Sequence, residues 1–86
     1  MNAVTEPETN ELTVIETIAY AKAIIRTAIQ REDWRALQQC SRHLRGALVK
    51  IIHGRFPGAD DPLFAYMARE TLFELDAVMT REGIPW

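Results

Sequence analysis

From Asp33 to Gly54 the chain reads DWRALQQCSRHLRGALVKIIHG, with apolar and polar residues alternating at a helical period. At about 100° per residue, Leu37, Cys40, Leu44, Ala47, Leu48 and Ile51 share one arc, with Trp34 and Ile52 at its margin. Arg35, Arg42, Arg45, Lys50 and His53 fall on the opposite side, so a helix over about 34–53 can bury one face and keep its charges in water. Its ends carry signals as well. Asp33 can accept from the unpaired amides of the first turn, and Gly54 can supply the left-handed residue that closes a helix. Val49 breaks the pattern as an apolar, β-branched residue expected to sit exposed among the cations.

Two further stretches have the same period. Upstream, Val14, Ile18, Ala21, Ile25 and Ala28 recur at alternating steps of four and three, a coiled-coil-like seam that predicts a helix over about 11–30. Thr13 with Glu16 has the form of a capping box, and Asn10 offers an earlier cap. Ile15 and Ile29 widen the seam on one side and Tyr20 and Ile24 on the other, more apolar surface than one neighbouring helix covers. Downstream, Asp60 or Asp61 can cap a helix with Pro62 at its first position and Gly83 just past its end, over about 62–82. Phe64, Met67, Ala68, Thr71, Leu72, Leu75, Val78 and Met79 form its core face. Tyr66, Phe73 and Ala77 gather on the far side, flanked by Arg69, Glu70 and Thr80.

The connections complete the picture. Gln30 to Glu32 is short, so the first two helices should form an antiparallel hairpin. The longer GRFPGADDP segment carries Pro57 and Gly58 at the central positions of a type II turn, and Phe56 should plug the end of the bundle. Residues 1–9 read as a polar tail and 10–86 as a single helical domain. The expectation is an all-α antiparallel three-helix bundle completed by homodimerisation. Val14, Ile18, Ala21, Ile25 and Ala28 would form the dimer seam.

Composition and charge narrow the function. No apolar run is long enough to span a bilayer, and the acidic N-terminal stretch lacks the basic and apolar regions of a targeting peptide. One cysteine excludes an internal disulfide, so a reducing cytoplasm is the expected setting, and the size and style of the chain alone suggest a bacterial one. The net charge of −2 is unevenly spread: residues 31–55 hold two acids and six bases, and residues 56–86 hold six acids and two bases. Either the basic second helix pairs with the acidic third, or Arg35, Arg42, Arg45 and Lys50 form a strip that contacts a polyanion such as nucleic acid.

Catalytic chemistry is not indicated. Cys40 lies in an apolar arc as a small hydrophobe, and His43 and His53 are too far apart in sequence to be a motif pair for a metal. Glu70, Glu74 and Asp76 do not share a helix face. His43-Leu44-Arg45-Gly46 loosely resembles the motif of histidine phosphotransfer domains, but the basic residue and the glycine each come one position early, about 100° out of place on a helix. The hairpin with Glu32-Asp33-Trp34 opening its second helix is similar in outline to small flagellar export chaperones, and that likeness implies a helical bundle that holds another protein. The expectation is a non-enzymatic module without cofactor or metal, an adaptor, chaperone or regulatory inhibitor. It would bind a protein through Tyr66, Phe73, Ala77 and Trp86, with a nucleic-acid-associated regulator as the alternative.

Overall fold

A computed structural model describes residues 11–85, with side chains from Thr13 onward. The expected tail over residues 1–9, the cap at Asn10 and the contact role of Trp86 lie outside the described residues. Within them the chain forms three α-helices and no strand: α1 (Glu11–Arg31), α2 (Trp34–Ile52) and α3 (Pro62–Glu82). All three pack against one another, and α2 with α3 makes the most extensive pairing.

Local chemistry sets each boundary. Asp33 caps α2 by accepting from the Ala36 amide at 3.2 Å. Asp61 caps α3 by accepting from Leu63 N–H at 2.9 Å, with Pro62 at the first position. At the far ends the chain turns through left-handed glycines, Gly54 at φ 69° and Gly83 at φ 68°. The amides that follow reach back across the last turn, Arg55 to the Lys50 carbonyl and Ile84 to that of Met79, each at 2.8 Å. The type II turn also forms: Ala59 N–H donates to Phe56 O at 3.0 Å, with Gly58 at φ 89°.

The α1–α2 hairpin uses the same closing geometry with a residue poorly suited to it. Asp33 N–H reaches back to Ala28 O at 2.9 Å, which puts Glu32 in the position that glycine usually takes, at φ 52°. A side chain in this conformation costs about 1–2 kcal/mol.

The core is one cluster drawn from all three helices, with Ala59 of the α2–α3 connection. Val14, Ile18, Ala21, Ile25 and Ala28 are all buried in it. This corrects their assignment as a dimer seam. α2 and α3 already cover the stripe, so these side chains present no face to a second copy. The wide arc of α1 does meet two neighbours, both within the same chain, and Ile15, Tyr20 and Ile29 remain exposed at its edges.

On α2 the buried arc is Leu37, Ser41, Leu44, Leu48 and Ile51, while Cys40 and Ala47 are only half-buried. The arc is therefore turned by about 30° from the one expected, toward the α3 side. Ser41 is fully buried and satisfies its hydroxyl by donating to Gln38 O at 2.9 Å. Thr71, also fully buried, donates to Met67 O at 2.9 Å. The same rotation half-buries Val49, which does not stand exposed among the cations. Phe56 packs against the core cluster, in keeping with its expected place at the bundle end.

Replacing Glu32 with glycine should relieve the hairpin and stabilise the protein by about 0.5–1 kcal/mol, a rise of a few degrees in Tm. Glu32→Ala, which keeps a Cβ, should give no such gain. Thermal unfolding of the two variants side by side checks this, and equal Tm values would place the strain elsewhere.

Candidate functional site

Three surface regions bring chemistry together. The first is the outer face of α3. Tyr66 and Phe73 are 58% and 75% exposed, Ala77 is exposed with them, and Leu63, 56% exposed, extends the patch toward the start of the helix. All four point away from the buried arc of Phe64, Ala68, Thr71, Leu75, Val78 and Met79. Leu63 is an addition to the residues expected from the sequence; it lies about 60° from Tyr66 and reads there as an edge position of the first turn.

The second region is the α1–α2 seam, where two shallow hollows of about 340 and 420 Å³ lie end to end. Tyr20, 63% exposed, lines both and divides them. The first joins Thr13, Glu16 and Thr17 of α1 to His43, Leu44, Ala47 and Leu48 of α2 and to Phe56. The second joins Ala23, Ile24, Thr27 and Arg31 to Asp33, Ala36, Leu37 and Cys40. The start of α1 thus meets the end of α2, which makes the pair antiparallel. The hollows form where small side chains face each other: Ala23, Ala36 and Ala47 leave space that Leu or Ile would fill.

Cys40 stands at the edge of the second hollow. Its thiol donates to Ala36 O at 3.2 Å and lies 3.6 Å from Leu37 O. Burial pushes the thiol above its ordinary range, opposed in part by its backbone hydrogen bond. A thiol held protonated is a poor nucleophile at neutral pH. This matches the reading of Cys40 as a small hydrophobe, although it is half-buried where full burial was expected.

The third region is basic, and it does not follow the strip drawn from the sequence. Arg45 turns toward α3 and donates from Nη1 to Asp76 Oδ1 at 2.8 Å. Here the basic helix does meet the acidic one, as one of the two charge readings expected. Arg35 lies near the opposite end of α2. Arg42 and Lys50 instead join His43 and Arg55 around a basin of about 440 Å³, with Gly46 and Ala47 of α2 as its floor and Phe56 and Pro57 as an apolar wall. Arg55, His43 and the basin itself are absent from the sequence-based set. The signal for Arg55 and the basin was the Gly54 closure, which turns the chain back and fixes the Arg55 backbone beside Lys50, whereas His43 follows from helical phase, about 20° from Lys50 around α2.

Among the described residues no group of His, Cys, Asp and Glu could hold a metal ion, and no helix is long and apolar enough to cross a membrane. No protein-family model matches the chain, and neither the curated proteins nor the solved structures compared with it give a match.

Two measurements test this geometry. Alkylation of Cys40 by iodoacetamide should be slower than that of a free thiol at pH 8 and should accelerate as pH rises into the range where the buried thiol ionises. Because the folded thiol titrates above its unfolded value, its contribution to stability is present below the unfolded pKa and declines as pH rises toward and through the folded one. A rate equal to that of a free thiol would contradict the placement. For Arg45 and Asp76, whose side chains are both more than two-fifths exposed, a double-mutant cycle with alanine should give a coupling of about 0.2–1 kcal/mol that shrinks in salt.

Proposed function

We propose that this chain is a small non-enzymatic protein-binding module, an adaptor, chaperone or regulatory inhibitor, that engages its partner through the outer face of α3. The observation carrying this reading is the line of Leu63, Tyr66, Phe73 and Ala77 exposed along one helix face while the core is complete without them. Tyr and Phe are enriched at interface cores because they bring large contact area with few rotatable bonds. A solvent-facing Phe at 75% exposure gains little from the fold. Trp86, named from the sequence as a further contact residue, is retained in the proposal as a contact residue only.

Self-association belongs to the same reading, through the outer faces rather than the α1 stripe. Among the described residues, Ile15, Tyr20 and Ile29 on α1 and the α3 patch are the large exposed apolar side chains that a second copy could meet.

The test is a Tyr66→Ser, Phe73→Ser double variant. It should unfold within about 1 kcal/mol of the parent, because surface truncations far from the core change stability little. It should also lose capture of the partner from native extract at moderate salt after nuclease treatment. Light scattering of both proteins separates loss of self-association from loss of partner. Undiminished capture by the folded double variant would remove this face from the proposal.

A further inference from the structure

We propose that the basin between Arg42, Lys50 and Arg55 binds a short peptide segment of a protein partner in which acidic and apolar residues are interleaved. The proposal rests on the protein-binding reading, at a face separate from the α3 patch.

The charge around the basin is of one sign. Arg42, Lys50 and Arg55 line it with His43, and no acid is among the lining residues, in a chain whose net charge is −2. The cations come from two separate segments, the outer side of α2 and the turn beyond Gly54. The Arg55 backbone is held against α2 by its amide bond to Lys50 O at 2.8 Å. They therefore enclose a floor instead of following one line along the helix.

The floor is the second observation. Gly46 lies in the middle of α2, where glycine costs roughly 0.5–1 kcal/mol relative to alanine. A Cβ added there would meet nothing within 4 Å, and the residue is not among those with positive φ. Neither packing nor backbone conformation requires glycine at this position. The remaining consequence of a missing side chain is that a ligand can approach the helix backbone between the cationic arms. Phe56 and Pro57 give that approach an apolar wall.

An apolar floor inside a cationic rim selects an amphipathic anion. Inorganic phosphate would leave the floor bare, and a sugar–phosphate strand needs a continuous basic track. On α2 that track is interrupted, because Arg45 is turned to Asp76. A segment with carboxylates spaced around an apolar side chain satisfies both parts. From Arg42 to Lys50 the helix rises about 12 Å, the span of roughly four extended residues.

The probe is a short fluorescein-labelled peptide of glutamate and leucine, titrated with the full chain at low salt and followed by anisotropy. Binding is expected, and it should weaken by about tenfold or more with Lys50→Glu, Arg55→Glu. Gly46→Leu, which fills the floor while adding a better helix former, should keep or raise Tm and weaken binding to a similar degree. The Tyr66→Ser, Phe73→Ser variant should bind the peptide as the parent does, so the two faces are judged separately. The proposal is overturned if the peptide does not bind, if folded Gly46→Leu binds it undiminished, or if a glutamine-for-glutamate peptide binds as well. Tighter binding of single-stranded oligothymidylate would overturn it in favour of nucleic acid.

Discussion

The α1 stripe of Val14, Ile18, Ala21, Ile25 and Ala28 has to be covered on both flanks by the two helices that follow it in the same chain. Burying an aliphatic side chain of Val or Ile size contributes roughly 1.5–3 kcal/mol, so leaving either flank open would remove much of what a small domain has. Glu32 and Asp33 join α1 to α2 so tightly that their antiparallel pairing is fixed by the connection alone. α3, released by the longer segment through Phe56 and Ala59, closes the other side. Each later helix must then rotate until its own stripe meets this one. That rotation decides which residues remain outside.

Several local features follow from it. Turning α2 toward α3 buries Ser41 and lifts Cys40 and Ala47 partly out of the core, which opens the hollows beside Tyr20. A buried serine is tolerable because its hydroxyl bonds to its own helix, and Thr71 on α3 does likewise. The same turn moves Arg45 within reach of Asp76. On α3 it leaves Tyr66 and Phe73 on the side farthest from the core. The exposed aromatics are thus a direct consequence of satisfying the interior with Phe64, Leu75 and Met79.

Element positions were legible in the sequence because their signals are local. Asp33, Asp61, Pro62, Gly54 and Gly83 act through hydrogen bonds or backbone angles within a few residues, and the structure uses each as expected. The exposure of Tyr66, Phe73 and Ala77 was legible too, since helical phase alone separates them from the apolar face. The partner of the α1 stripe was not. A periodic stripe states that something must cover it, and only the packing of whole helices states whether that cover comes from the same chain. Ser41 was missed for a related reason: hydrophobic periodicity passes over a small polar residue whose hydroxyl bonds back to its own helix.

The basic surface shows most clearly how far helical phase carries. Arg35, Arg42, Arg45 and Lys50 look like one strip on a helical wheel, yet Arg45 and Lys50 lie about 140° apart around the axis. Once α3 docks on one side, Arg45 belongs to that interface and Lys50 to the other flank. What gathers positive charge into a concave surface is not the wheel but the end of the helix. Gly54 enters the left-handed conformation, Arg55 N–H returns to Lys50 O, and the chain then runs through Phe56 and Pro57 alongside the last turns of α2. A hydrogen bond that satisfies a terminal carbonyl therefore also fixes the backbone of a cation and seats an aromatic wall beside it. The electrostatic character of this end of the bundle is set by how one helix stops.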